Sequence, residues 1–311
     1  KLRIGIAIGA TALAGVAIAP GAIDVWRVIA VVLAVTLASA AAGAFNQYVE
    51  RDLDRSMRRT RNRAFATGRL TAGPVWPLTI GAVFFAGVGL AWLAANPMAA
   101  LHTALGAFTY GVVYTVWLKR RTAWNIVIGG AAGSFAVLAG AAAVDGGVPD
   151  ATTIAFAVVL FLWTPPHFWS LAIAYRDDYA AARVPMLPVV VGDAAAARAV
   201  FVGAAMLVAA SIVPAFLGLS WLYATAAVGG GALLRGLDLL DKGGLLTSII
   251  PEMEALQGCE QPPQFHPEGD VWVHTRLMLS LLPEKVSIPL VLSVLLHDIA
   301  KPATYTIDET G

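Results

Sequence analysis

The sequence predicts an all-α protein: a polytopic bundle of about eight transmembrane helices, followed by a small soluble helical segment. Three observations lead to this prediction. The chain of 311 residues is 58% hydrophobic and only 13% charged, with a mean hydropathy of +0.73. Apolar runs long enough to cross a membrane recur along it. The connections between these runs alternate between strongly basic and nearly uncharged, which is typical of chains that cross a membrane repeatedly.

The apolar runs place the spans near residues 4–20, 27–47, 74–94, 98–117, 124–144, 152–174, 195–217 and 218–234. The loops after the second, fourth and sixth runs are basic, whereas the loops after the first, third and fifth carry few cations. The positive-inside rule therefore puts the N-terminus and the basic loops in the cytoplasm, with the bundle in the lipid bilayer of the inner (plasma) membrane. Abundant Gly and Ala predict closely packed helices.

Charge and cysteine content exclude several other classes of protein. The net charge of +1 gives no reason to expect nucleic acid as a partner of the membrane domain. Cys259 is the only cysteine, which excludes an intramolecular disulfide and an all-cysteine metal site.

The most highly charged stretch follows the second span and begins at Asn46. If the helix continues, Asn46, Glu50 and Asp54 recur at i, i+4 and i+8 and share one face. Amide and carboxylate oxygens grouped in this way suit Mg²⁺, which usually takes one or two carboxylates together with substrate phosphates. Acidic residues contribute little to membrane orientation, so orientation does not explain why they occur on this face.

The arginines of the same stretch predict phosphate binding beside that face. Arg51, Arg55 and Arg58 would lie together on a neighbouring face, where they suit phosphate oxygens. The basic residues after Arg58 are explained equally well as orientation charges. The next basic loop adds Lys119 and Arg120 at the same membrane side.

The third basic segment repeats the combination of acid and arginine. Arg176, Asp177 and Asp178 follow an apolar run that contains Pro165-Pro166 and His167. Paired prolines predict a disrupted helix with freed carbonyls. An intramembrane histidine points to function, although helix packing is an equal alternative for His167. An allylic diphosphate bound through Mg²⁺ would need two such clusters at one membrane side, with its apolar tail in the bilayer.

Residues 1–234 resemble the UbiA superfamily of intramembrane prenyltransferases and, within it, the heme O synthase branch. The segments that carry this resemblance are NQYVERDLDRSMRRTRNR, YTVWLKRRTAWNIVIGGAAGS and WTPPHFWSLAIAYRDDYAAARVPMLPVV. The two acidic motifs of the family, which are its catalytic and Mg²⁺-binding positions, match Asn46, Glu50, Asp54, Asp177 and Asp178. The substrate-binding positions that the resemblance and the charge pattern assign are Arg51, Arg55, Arg58, Tyr114, Lys119, Arg120, His167 and Arg176.

The resemblance implies a Mg²⁺-dependent transfer of a farnesyl group from farnesyl diphosphate to a vinyl group of heme B, giving heme O. It places His167 in the pocket for the acceptor. An aromatic quinone precursor is the nearest alternative acceptor in the superfamily. A transporter or a purely structural membrane protein would leave the two acid–arginine clusters unexplained.

From about residue 235 the apolar runs shorten, and residues 235–311 resemble an incomplete, truncated HD domain of the tRNA nucleotidyltransferase and phosphohydrolase type. His274 and the His297-Asp298 doublet carry this resemblance. It implies a partial site for a divalent metal, because the later aspartate of such a site cannot be placed: Asp308 is too close to the doublet. The alternative function is therefore a membrane-anchored, metal-dependent phosphohydrolase or nucleotide-binding module.

Overall fold

The computed structural model describes residues 2–146, 148–219, 256, 258–259 and 270–280, and the extended elements in these ranges are all helices. The predicted all-α fold class is therefore confirmed. In chain order the helices are α1 Leu2–Ile18, α2 Val25–Val49, α3 Arg51–Ser56, α4 Val75–Ala94, α5 Pro97–Phe108, a π-helix Thr109–Leu118, α6 Asn125–Asp145, α7 Ala151–Ala174, α8 Arg176–Ala181, α9 Leu187–Val191, α10 Asp193–Phe216 and α11 Val271–Ser280.

The long helices coincide with the first seven predicted spans. Five of them are long and apolar enough to cross a membrane: α2, α4, α6, α7 and α10. The α5 helix runs directly into the π-helix, so that residues 97–118 form one continuous helical run, and α1 is a shorter apolar helix. The eighth predicted span, 218–234, lies almost wholly outside the described residues.

The helices α1, α2, α4, α5 and α6 pack in a closed ring, each against the next, with α1 also against α6. On its other side α6 packs against α7, which in turn packs against α10. Glycine lets the backbones approach where α1 meets α6: a Cβ on Gly140 would collide with the Ala12 carbonyl, and one on Gly15 with the Val137 carbonyl. The small residues therefore set the helix spacing, as expected in a membrane bundle.

The connections with few cations are held by capping side chains. Asp24 accepts from the Trp26 N–H at 2.9 Å at the start of α2. Asn96 accepts from the Ala99 N–H at 2.8 Å at the start of α5, and Asp150 does the same for α7. These side chains satisfy backbone N–H groups that have no partner within a helix. Asn96 Nδ2 also donates to the Ala142 carbonyl, which links this connection to α6.

The predicted disruption at the paired prolines is wrong, since α7 continues through Pro165 and Pro166 without a break. Both prolines are buried, and the Pro166 ring lies against Gly203 of α10. Packing of the Pro166 ring against α10 holds the helix together where two N–H groups are missing.

We expect Gly140→Ala to destabilise the bundle by about 1–3 kcal/mol, because the added methyl would force α1 away from α6. Gly133→Ala on the same helix is the matched control, since nothing lies within 4 Å of a Cβ there. Replacing a mid-helix glycine without a clash stabilises by about 0.5–1 kcal/mol. Unfolding of both variants in detergent micelles measures the difference, and equal stabilities would contradict the close packing of α1 on α6.

Candidate active site

Three oxygen-bearing side chains follow one another down the end of α2 and into α3. The helix direction changes at Glu50 (φ −91°, ψ 11°), yet the bonds between residues four apart continue from Glu50 N–H to the Asn46 carbonyl (2.9 Å) and from Asp54 N–H to the Glu50 carbonyl (2.7 Å). Asn46, Glu50 and Asp54 therefore keep a common face across the break. All three are buried, at 2% exposure or less.

Glu50 lies at the centre of a buried hydrogen-bond network. Lys119 Nζ donates to Glu50 Oε2 at 2.6 Å, and Asn46 Nδ2 donates to the same oxygen at 2.8 Å. Asn46 Nδ2 also donates to Thr115 Oγ1 at 3.1 Å. The network joins the end of α2 to the end of the π-helix.

The π-helix brings Thr115 and Lys119 to α2. Its backbone bonds reach five residues back, as from the Lys119 N–H to the Tyr114 carbonyl at 2.9 Å. The Tyr110 and Tyr114 rings are stacked 5.6 Å apart, and the Lys119 ammonium lies 5.8 Å from the centre of the Tyr114 ring. The two tyrosines and the lysine thus lie together, whereas Trp117 is 55% exposed at the outside of the bundle.

Asp54 is held by Arg63, which the sequence left among the candidate orientation charges. Arg63 Nη1 donates to both carboxylate oxygens, at 2.8 and 3.0 Å. The two residues are nine positions apart, and Arg63 lies in the irregular loop after α3, so helical periodicity gives no signal for the pair. Arg63 is therefore a site residue that sequence reasoning missed.

The third basic segment meets the first through Arg58. Arg58 Nε donates to Asp178 Oδ1 at 2.9 Å, although the two residues are 120 positions apart. The hydrogen bond from the Arg58 guanidinium lowers the pKa of the Asp178 carboxyl below its usual value. Arg59 adds a second link, since its Nη2 lies 3.4 Å from the Tyr179 hydroxyl. The two acid–arginine clusters are thus neighbours in space.

The predicted common face of Arg51, Arg55 and Arg58 is wrong. Helix α3 ends at Ser56 and Met57 is extended, so Arg58 leaves the helix direction and turns toward α8. Arg51 instead donates to the Tyr48 carbonyl at 2.9 Å. Arg55 donates to the Ala66 carbonyl at 3.0 Å and pairs with Asp52. Arg51 therefore bonds to the backbone of α2 and Arg55 to the loop after α3, so their guanidinium groups have different partners.

The remaining predicted residues lie in different surroundings. Arg176 pairs with Asp193 at 3.3 Å, at the start of α10. Arg120 and Asp177 are exposed. His167 is exposed on α7, and its ring stacks on the ring of Trp163 at 4.4 Å.

Two unsatisfied carboxylate oxygens test whether the site fits a cation. Glu50 Oε1 and Asp178 Oδ2 are buried without a hydrogen-bond partner, and an unpaired buried oxygen is costly. In the part of the chain that the structure describes, no three His, Cys, Asp or Glu side chains form a closed metal site. The donors fit Mg²⁺ bound with substrate oxygens, which is its usual mode, rather than a site made wholly of protein ligands.

The predicted HD-type metal site lies mostly outside the residues that the structure describes. His274 lies on α11, and His297 and Asp298 lie outside the described residues.

We expect Lys119→Met to destabilise the protein by about 3–5 kcal/mol, because it leaves the Glu50 carboxylate buried without its counter-ion. Adding Glu50→Gln removes that charge and should recover most of the loss. Unfolding in micelles of the two single variants and the double variant measures the coupling. Losses that simply add would show that the two side chains do not interact.

Comparison with known proteins identifies the family to which the chain belongs. Residues 8–244 match the model of the UbiA prenyltransferase family. A relative named protoheme IX farnesyltransferase 2, from Paramagnetospirillum magneticum, is 60% identical over 74% of this chain and 80% of its own length. Protoheme IX farnesyltransferase 1 of the same organism is 47% identical over 77% of this chain and 84% of its own length.

Solved structures agree with this match at the level of the fold. The apo structure of a UbiA homolog from Aeropyrum pernix K1 has a TM-score of 0.65 at 18% identity, over 90% of this chain and 96% of the homolog. A UbiA homolog from Archaeoglobus fulgidus bound to DMAPP and Mg²⁺ has a TM-score of 0.61 at 14% identity, over 96% of both chains. With its apolar helices and its buried polar cluster, the chain is a multi-pass membrane protein that belongs to the UbiA prenyltransferase family.

Proposed function

We propose that this protein transfers the farnesyl group of farnesyl diphosphate to a vinyl group of protoheme IX (heme B), which yields heme O. The observation that carries the proposal is the link between Arg58 and Asp178, because it brings two acid–arginine clusters to one place. The names and identities of the relatives support the choice of donor and acceptor. A substrate with an apolar prenyl chain and a strongly charged head can bind with its chain among the apolar helices and its head at a polar cluster at their ends.

The diphosphate would bind where the two clusters meet. Asn46, Glu50 and Asp54 on one side and Asp177 and Asp178 on the other are the residues that would hold Mg²⁺. When bound, Mg²⁺ neutralises the diphosphate and makes it a better leaving group. Support for this placement comes from the unpaired oxygens of Glu50 and Asp178.

The cations around these carboxylates would stabilise the leaving group. Arg58 and Arg63 are each bound to a carboxylate and lie beside the proposed site, so their guanidinium groups can take up diphosphate oxygens when the acids turn to the metal. Lys119 donates to Glu50 Oε2 at 2.6 Å and orients the carboxylate. Positive groups that are fixed before the reaction lower its barrier, because no reorganisation is needed as charge develops.

The proposed reaction breaks the bond between farnesyl C1 and its diphosphate oxygen, and the electron pair leaves with the diphosphate. The terminal vinyl carbon of heme B bonds to C1, which leaves a cation on the vinyl carbon next to the porphyrin ring. Water adds there and loses a proton, giving the hydroxyl of heme O. Heme B, farnesyl diphosphate and water thus become heme O and diphosphate.

His167 is the proposed contact to the acceptor. Its imidazole and the Trp163 ring are nearly parallel, at 14°, and form a flat aromatic surface on α7. A planar macrocycle can stack on such a surface.

The 1–234 segment is the proposed prenyltransferase domain, with 235–311 as a separate HD-like segment that has a partial divalent-metal site. The family match ends ten residues beyond this boundary, at residue 244. The proposed orientation places the N-terminus and the loops that carry the acids in the cytoplasm of a cell whose inner membrane holds the bundle.

Membranes that contain the protein should convert heme B and farnesyl diphosphate to heme O, detected by mass, in a Mg²⁺-dependent reaction. Asp54→Asn should lower the rate by about 100-fold or more, since the metal supplies several kcal/mol of charge stabilisation. Asp52→Asn is the matched control: Asp52 lies in the same helix but is 72% exposed and pairs only with Arg55. Equal rates for the two variants would contradict the assigned site, and absence of heme O in the wild type would contradict the function.

Single-cysteine labelling tests the proposed orientation. Cys259 is the only cysteine, so Cys259→Ser gives a background without thiols. A cysteine at Val148, in the exposed loop between α6 and α7, should react with an impermeant maleimide in intact spheroplasts. A cysteine at Arg121, in the basic loop after the π-helix, should react only after lysis. The reverse labelling pattern would show that the protein has the opposite orientation in the membrane.

A further inference from the structure

Thr115 is a buried hydroxyl that has two defined hydrogen bonds. It is 3% exposed on the π-helix and donates to the Tyr110 carbonyl at 2.8 Å, five residues back. In an α-helix a threonine hydroxyl bonds to the carbonyl three or four residues back. The wider π turn therefore determines where this hydroxyl hydrogen points.

The second hydrogen bond of Thr115 determines the orientation of the Asn46 amide. Because the hydroxyl hydrogen is used by Tyr110, Thr115 Oγ1 can only accept, and it accepts from Asn46 Nδ2 at 3.1 Å. An amide nitrogen has two hydrogens, and the other one goes to Glu50 Oε2 at 2.8 Å. Both hydrogens are committed, so Asn46 contacts these two partners through Nδ2 and not through Oδ1.

We propose that Thr115 is a positioning residue for cation binding, which holds the Asn46 amide in the one orientation that presents Oδ1 to the metal. This inference rests on the proposed function, in which Asn46 is a Mg²⁺ ligand. An amide can bind a cation only through its oxygen, and a flip by 180° would present the NH₂ group instead. Glu50 Oε2 also disfavours the flip, because a flipped amide would turn its oxygen toward this carboxylate oxygen. The hydroxyl of Thr115 disfavours the flip, since it would place two acceptors face to face.

The test compares variants that differ in one hydroxyl. Thr115→Val keeps the shape and removes the hydroxyl, and Thr115→Ser keeps the hydroxyl. Thr103→Val is the matched control, because Thr103 is also a buried threonine in a helix. Its hydroxyl donates to the Ala99 carbonyl at 2.8 Å and not to Asn46. Binding of Mn²⁺ to each purified protein with inorganic diphosphate is followed by electron paramagnetic resonance. The Mg²⁺ dependence of heme O formation is the second measurement.

We expect Thr115→Val to weaken Mn²⁺ binding by about 10–100-fold, the usual effect of removing a group that orients a metal ligand. Thr115→Ser and Thr103→Val should bind Mn²⁺ as the wild type does. Thermal unfolding shows whether each variant is folded, and Thr115→Ala replaces Thr115→Val if the latter is not. Unchanged Mn²⁺ binding in the hydroxyl-free variant, or equal weakening in Thr115→Ser, would overturn the positioning role.

The outcomes separate this inference from the proposed function. A wild-type protein that forms heme O while Thr115→Val binds Mn²⁺ normally would contradict only the role of Thr115. A wild-type protein that binds Mn²⁺, loses it in Thr115→Val and makes no heme O would contradict only the proposed reaction.

Discussion

The buried ion pair between Glu50 and Lys119 is the interaction on which the cytoplasmic half of the bundle depends in the proposed orientation. Removing a carboxylate and an ammonium from water costs several kcal/mol per ion, and their attraction repays this only when geometry and further hydrogen bonds are good. The short contact and the added bond from Asn46 meet that requirement. Since each partner lies on a different helical run, the pair also fixes the end of α2 against the end of the π-helix. This contact therefore helps to position the side chains around it.

Acidic and amide side chains have different uses on the two sides of the bundle. On one side Asp24, Asn96 and Asp150 begin helices and accept from backbone N–H groups. On the other side the buried acids pair with cations from other segments, and two of their oxygens keep no partner. In the proposed function, a bound cation supplies the partner that these two carboxylate oxygens lack.

Much of this arrangement could be predicted from the sequence, because it follows from local rules. Hydrophobic run length gives the span positions, and helical periodicity places Asn46, Glu50 and Asp54 on one face. The pairing of Arg63 with Asp54 depends on an irregular loop, for which no period exists. The role of Thr115 depends on the π-helix, whose hydrogen-bond register a sequence pattern does not reveal. The intact helix at Pro165 and Pro166 is packed against another helix, α10, so tertiary packing overrides the local preference.

The capped loops also determine which side of the molecule can change shape. Where Asp24, Asn96 and Asp150 cap the helices, the backbone itself is held by hydrogen bonds, so any movement there must break a helix start. On the opposite side, Arg58 and Arg59 tie the basic loops to each other, and the Arg58 side chain is 76% exposed. Side chains exchange partners far faster than helices repack. The salt bridge between Arg58 and Asp178 can therefore break and re-form while the helices keep their places.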